Sequence, residues 1–388
     1  MKLTYFLREA AAALYFLGAF VPSITAVPVQ LQQLTSREPA AAVSPELPRL
    51  VIYYQTTHDS DGRPISMLPL ITEKNIALTH LIVCSFHVVA DGGIHLNDYP
   101  PDHSLFYTLW NETQVMKSAG VKIMGMVGGA AAGSFTDQTL DARNADVFER
   151  AYAQLHDTIQ LYQLDGMDLD VEQPMSLPGI VRLVRRLRSD FGPDFIITLA
   201  PVASALHEGA NLSGFDYKSL ERIDGADISF YNAQFYNGFG DMQTPKFYEA
   251  VVTDWQGWHP SRILAGQITT PANGGGFVSF DKLNETIVAL SRSVGGIGGI
   301  MGWEYFNSES GIPEREPWRW AQVMTAILRP NLFRELVVTR STADRLVESW
   351  RESVSGWRAN SVNLGVGVSW IPDDLLTPNV DYLGMVNA

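Results

Sequence analysis

The sequence is nearly free of cysteine: Cys84 is the only one among 388 residues. That excludes a disulfide scaffold, a multi-thiolate zinc site and a Cys-x-x-Cys redox centre, each of which needs at least a pair. Cys84 sits in the apolar run 81–88 and reads as a small buried hydrophobe. Basic residues are also scarce, 28 Lys and Arg against 42 Asp and Glu, for a net charge of −14. Such a chain repels nucleic-acid phosphates and anionic lipid heads, so the expected partner is neutral or weakly polar. Beyond the first 26 residues no apolar run is long enough to span a bilayer. No glycine-rich phosphate loop follows the first strand-like segment, which argues against a dinucleotide-binding sheet.

What is present begins with a leader. Residues 1–26 carry Lys2 and Arg8 at the front, an apolar stretch over 10–21 and the small-residue end Ile24-Thr25-Ala26. This is the pattern of a cleaved secretory signal, and it predicts an extracellular protein. Three Asn-x-Ser/Thr sequons, at Asn111, Asn211 and Asn284, agree with export. Residues 27–49, rich in Ala, Pro, Gln and Ser, show no hydrophobic period and read as a flexible lead-in. A secreted chain without disulfides must be stabilised by its core, and 46 % hydrophobic residues supply one.

From residue 50 onward, short β-branched and aromatic runs alternate with helical stretches. The predicted strands are 51–55, 81–88, 121–127, 164–172, 195–201, 228–236, 262–269 and 298–305. Their starts lie 30 to 43 residues apart, the length of a strand, a loop, a helix and a return loop. Eight such units predict a closed α/β barrel over residues 50–329, with amphipathic helices at 145–162, 179–191 and 315–328. Residues 330–388 form a C-terminal extension of unassigned role, with an expected helix at 341–357 and a strand near Trp370.

The fourth strand is chemically unusual. Along Leu164-Asp165-Gly166-Met167-Asp168-Leu169-Asp170-Val171-Glu172, alternation puts Met167, Leu169 and Val171 on one face and Asp168, Asp170 and Glu172 on the other. If the apolar set packs under helices, the three carboxylates point into the barrel, where branched apolar side chains are the rule. Carboxylates buried together repel one another, so one of them should hold a proton near neutrality. Glu172 stands last, at the C-terminal strand ends where such barrels carry their active sites. A divalent metal is a poorer reading, because residues at i, i+2 and i+4 of one strand span too great a length to share one small ion. No metal ligand and no cofactor are expected.

The pattern Asp-Gly-x-Asp-x-Asp-x-Glu, complete at residues 165–172, resembles the signature of glycoside hydrolase family 18, the chitinases and endo-β-N-acetylglucosaminidases. The likeness covers the barrel and neither end. Gly128-Gly129 ends the third strand as in the family's Ser-x-Gly-Gly, with Met126 where the serine stands. Gln234-Phe235-Tyr236-Asn237 ends the sixth strand and is similar to the branch holding plant class III and some bacterial chitinases; another branch has Asp in place of Asn237. Trp303 ends the eighth, where the family places a tryptophan under the sugar.

The resemblance implies a (β/α)8 TIM barrel and substrate-assisted hydrolysis of β-1,4-linked N-acetylglucosamine. In that scheme Glu172 is the acid and base, Asp170 orients the substrate's acetamido group, Asp168 supports Asp170, and Tyr236 donates to the acetamido oxygen. Trp303, Gln234, Asn237, Gly128 and Gly129 complete the expected substrate site of a monomeric enzyme. The implied partner is an N-acetylglucosamine polysaccharide or glycan, with no nucleic acid and no membrane. Chitin or chitooligosaccharides is the first substrate reading. The chitobiose core of N-glycans and a non-catalytic glycan-binding barrel are the alternatives. Trp110, Phe239, Trp255, Trp258 and Tyr305 are candidates for either outer sugar contacts or core, and His207-Glu208 is a weaker site candidate.

Overall fold

The computed structural model describes residues 48–309, apart from Lys74, Gly92 and Gln256, and residues 316–330. The expected leader, the lead-in up to residue 47 and the extension from residue 331, with its expected helix and strand, lie outside the described residues.

Among the described residues there are nine strands: β1 Arg49–Tyr54, β2 His80–Val88, β3 Ile94–Leu96, β4 Lys122–Gly128, β5 Gly166–Asp170, β6 Ile196–Leu199, β7 Phe230–Gln234, β8 Ile263–Ile268 and β9 Gly299–Trp303. Eight of them pair in parallel in the order β1-β9-β8-β7-β6-β5-β4-β2, and the β1–β2 pairing closes the ring. The short β3 is antiparallel to the end of β2 and stands outside that ring. Helices return the chain between strands: α1 Pro69–Thr72, α2 Tyr107–Ser118, α3 Ala145–Leu161, α4 Leu177–Phe191, α5 Tyr217–Asp224, α6 Lys246–Asp254, α7 Phe280–Ser293 and α8 Trp318–Leu328. The fold is the (β/α)8 barrel that the spacing predicts.

Helix boundaries follow local chemistry. The Asn144 side chain accepts from the Asp146 and Val147 amides at the start of α3 (2.9 and 3.3 Å). At α4, Ser176 caps Gly179 N–H (3.1 Å), and Gly192, at φ 79°, ends the helix. On α4, Ile180, Leu183, Val184 and Leu187 are buried, the 3.6-residue stripe that docks a helix onto a barrel.

The apolar residues separate into two clusters. The larger fills the layer between strands and helices and takes Met167, Leu169 and Val171 from β5 and its end. The smaller fills the lumen with Val51, Tyr53, Ile82, Cys84, Met124, Met126, Phe230, Tyr236, Leu264, Ile268 and Met301. Cys84 is buried and unpaired. Met126, the departure from the family's serine, is therefore lumen packing. At the lumen floor, Arg49 lies over the Phe230 ring and His80 meets its edge; burial, with Arg49 and Lys122, pushes the His80 imidazole down to about 3.

Two strands are shorter than their sequence patterns. The alternation over 164–172 outlasts β5, because β4 pairs only as far as Gly128↔Asp170 and β6 only as far as Leu199↔Leu169. Likewise β7 ends at Gln234, so Tyr236 and Asn237 stand in the loop that follows. Side-chain alternation reports which face a residue takes, whereas a ladder ends where its neighbour ends.

Candidate active site

The three acidic residues point inward as parity requires, and the strands around them decide their states. Asp168 is fully buried and accepts from three elements: the Tyr53 hydroxyl on β1 (2.6 Å), the Thr198 hydroxyl on β6 (2.5 Å) and the Asn232 amide on β7 (3.1 Å). Burial lifts its carboxyl above the usual range, and those three hydrogen bonds pull against the rise. Asp170, one pleat higher, is also buried but has one amide contact, from Gln234 Nε2 at 3.3 Å. Burial first, then the charges of Glu172 and Asp168, hold the Asp170 carboxyl well above the ordinary value. Asp170 thus meets fewer donors and more negative charge than Asp168, which disfavours its ionised form.

Glu172 is half-buried beyond the end of β5. Gln234 Nε2 reaches its Oε1 at 3.0 Å and the Ala200 carbonyl at 2.9 Å, so one amide links β7, β6, Asp170 and Glu172. Since no ladder holds Glu172, neighbouring loops do. On one side Gly133 N–H donates to Gln173 Oε1 (2.7 Å), and Asp141 accepts from Ser176 N–H and hydroxyl (2.9 and 2.5 Å). On the other, the Ser213 hydroxyl donates to the Val171 carbonyl (2.7 Å) and sits 2.8 Å from the Tyr217 hydroxyl, while Met175 N–H donates to the Ser213 carbonyl (2.8 Å).

Gly128 and Gly129 shape the floor. Gly128 has φ 102°, and a side chain there would strike the Asp170 carbonyl and the Phe135 ring. This close approach lets Gly129 N–H donate to that same carbonyl (2.8 Å). The Tyr236 phenol is buried in the lumen cluster. Burial and the charges of Asp170, Glu172 and Asp168 raise it well above its usual value, so it remains a proton-bearing donor. Trp303, half-buried at the end of β9, lies 5.6 Å from the Tyr53 ring, centroid to centroid.

The other candidates divide. Asn237 does not face the carboxylates: its Oδ1 accepts from Gly275 N–H and its own N–H donates to the Gly275 carbonyl, both at 2.8 Å. Trp110 stacks on Tyr162 in the helical layer, Trp258 donates to the Leu206 carbonyl, and Tyr305 is fully buried and donates to the Ser66 carbonyl. Trp255 packs edge-on against Trp258, and Phe239 is half-buried with its carbonyl accepting from Ser204 N–H. His207 faces Asp254 (3.4 Å) and Phe247, away from the cluster. The sequence reading missed Tyr53, Thr198 and Asn232. Each occupies an inward position of a strand it had located, so parity held the signal. It also missed Glu304, whose buried carboxylate accepts from Gln55 and Thr56 N–H (3.2 and 2.8 Å) and ties the end of β9 to the end of β1. Among the described residues, no group of three or more His, Cys, Asp and Glu is arranged to hold a metal.

Comparison with known proteins agrees with this geometry. The sequence profile of "Glycosyl hydrolases family 18" matches residues 49–273, more than half of the chain. A fungal endo-β-N-acetylglucosaminidase of that family is 62 % identical with a TM-score of 0.72; the match covers 74 % of this chain and all of that one. A chitinase of Aspergillus fumigatus is 48 % identical with a TM-score of 0.64, over 71 % of this chain and 98 % of that one. An endochitinase of Metarhizium robertsii is 21 % identical over 59 % of this chain and 70 % of its own. One of Trichoderma harzianum is 22 % identical over 41 % of this chain, and the match spans only half of its length. With the fold closed and the acidic strand in its lumen, the chain belongs to glycosyl hydrolase family 18 and is a glycoside hydrolase.

Proposed function

We propose that the protein cleaves the β-1,4 bond between two N-acetylglucosamine residues with retention of configuration, the substrate's acetamido group acting as nucleophile. The observation that carries this reading is the Gln234 amide held between Asp170 and Glu172 at 3.3 and 3.0 Å, which keeps both carboxyls side by side at the open end of the lumen. Glu172 gives a proton to the leaving oxygen. The acetamido oxygen attacks the anomeric carbon, and the exocyclic C–O bond breaks. As substrate enters, Asp170 passes its proton to Glu172, which supplies the one given to the leaving oxygen, and Asp170, ionised, accepts from the acetamido N–H. Asp168, fixed by three hydrogen bonds, holds the negative potential beneath it, and Tyr236 donates to the acetamido oxygen. Glu172 then takes a proton from water, which opens the oxazolinium ion. No second carboxylate needs to reach the anomeric carbon, which suits a cluster stacked along one strand.

Within that chemistry we favour the chitobiose core of N-glycans over chitin, because the 62 % identical relative is an endo-β-N-acetylglucosaminidase and the 48 % identical one a chitinase. Chitin is the second reading, supported by the endochitinase relatives. A reducing-end assay on a high-mannose glycoprotein and on chitin oligomers, run in parallel, separates them. Cleavage of neither by folded protein would favour a glycan-binding barrel and sink the hydrolase mechanism. Glu172→Gln is expected to lower kcat by about 10²–10⁴-fold with the fold intact. Wild-type turnover in that variant removes Glu172 from the role.

A further inference from the structure

The loop between β8 and α7 contains Gly274-Gly275-Gly276 and then Phe277, none of which the catalytic scheme uses. It arches across the end of β8, from the β7 end to the β9 end. On the β7 side Asn237 holds it through the paired bonds with Gly275. Glycine is required beneath this clasp: Gly274, at φ 149°, would drive a side chain into the Asn237 amide, and at Gly276, φ 90°, a Cβ would come within 3.3 Å of the Tyr236 Cα. On the β9 side Asn273 Nδ2 donates to the Trp303 carbonyl (3.0 Å) and pairs with Asn307 (3.1 and 2.6 Å). Gln243 Nε2 donates to the Phe277 carbonyl (3.3 Å). The outcome is a half-buried Phe277 ring packed against the lumen cluster that contains Tyr236, with the half-buried Trp303 ring packed against the same cluster.

Two half-buried aromatic rings on the lumen cluster leave apolar surface in water until something flat and partly apolar covers them. Pyranose rings have that character. We infer that Phe277 is a second sugar-contacting ring on the cluster that also carries Trp303, and that Asn237 serves the substrate through Phe277, as the clasp of its loop, and not by touching sugar. This rests on the proposed hydrolysis of N-acetylglucosamine glycans and adds a specificity element to it. The ring acts on binding before chemistry, so its loss raises KM and spares kcat.

The test uses the full chain, with kcat and KM measured on chitin oligomers and a high-mannose glycopeptide, and thermal unfolding as the folding control. Phe277→Leu keeps apolar bulk on Tyr236 but removes the ring face, and is expected to raise KM about three- to tenfold at near-constant kcat. Phe277→Trp restores it. Asn237→Ala raises KM to a similar extent, while Asn237→Asp, which keeps the acceptor for Gly275 N–H, does so much less. In the Phe277→Leu background Asn237→Ala adds little, because the two act through one contact. An unchanged KM in folded Phe277→Leu overturns the inference. So does a full additional rise from Asn237→Ala in that background, which would make Asn237 a direct sugar ligand. If the wild type cleaves neither substrate, the hydrolase reading falls first and this one with it.

Discussion

Asp168 and Asp170 stand one pleat apart on the same strand, yet their surroundings treat them differently. Three donors from three strands converge on Asp168, whereas Asp170 meets one amide and two negative neighbours. A carboxyl raised in this way binds its proton more tightly folded than unfolded. Its contribution to stability is therefore complete below about pH 4, the unfolded value, and is lost as pH rises toward the folded value. Asp170→Asn should accordingly be more stable than wild type at neutral pH, and the gain should vanish as pH falls below about 4. Thermal melts across that range check this, and a loss of stability at neutral pH would contradict it. The same variant should lose activity, because a neutral amide cannot balance the positive charge that develops on the acetamido group. At this scale the sequence was informative: the eight-residue pattern named Asp168, Asp170 and Glu172. Parity puts Tyr53, Thr198 and Asn232 on inward positions but does not pair them with Asp168, which lies on another strand.

Elements set the position of Glu172, the proposed acid. Glu172 lies past the end of β5, and its place is fixed by the loops that follow β4 and β6. One brace is unexpected, because Ser213 closes the sequon Asn211-Leu212-Ser213. Its hydroxyl is buried against the Val171 carbonyl, and the Asn211 amide is engaged with the Phe215 carbonyl and Ser213 N–H (2.7 and 2.9 Å). Ser213→Ala leaves that carbonyl and the Tyr217 hydroxyl without a shared partner, a cost of about 1–3 kcal/mol. The expected result is a lower melting temperature and a kcat reduced by about tenfold, with KM little changed, since the acid moves and the sugar contacts do not. Ser213→Thr, which keeps the hydroxyl, should retain most of kcat. Equal activity in Ser213→Ala would show that the other loop suffices. All eight barrel strands were legible because each is a β-branched or aromatic run at the spacing a barrel unit demands. The three-residue β3 was not, being too short to show a period, and the overlong strand ends at 172 and 236 reflect pattern continuing where pairing stops.

The chain is acidic, and in the described barrel Asp168, Asp170, Thr198, Asn232 and Gln234 gather on the wall formed by β5, β6 and β7. An apolar cluster that includes the buried Cys84 fills the lumen beside them. We propose that such a chain is exported, on the strength of the leader pattern in residues 1–26. Among the described residues no helix is long and apolar enough to cross a membrane. N-terminal sequencing of protein recovered from culture medium should begin at Val27, and the unfolding midpoint should not move on adding a thiol reductant. Retention in the cell, or a start at Met1, would remove the export reading.

Composition, period and spacing determined by themselves the barrel, its eight strands, and the outward apolar and inward acidic faces of β5 with Glu172 at its end, because each is a local property of the chain. Tertiary structure alone decided which carboxyl meets three donors and which meets one, and which aromatics are core. It also assigned Asn237 to the Gly275 loop and not to the carboxylates. Those outcomes depend on burial and on hydrogen bonds between residues dozens to more than a hundred positions apart. No window of sequence contains both partners of such a bond, so its energy enters only when the ring closes.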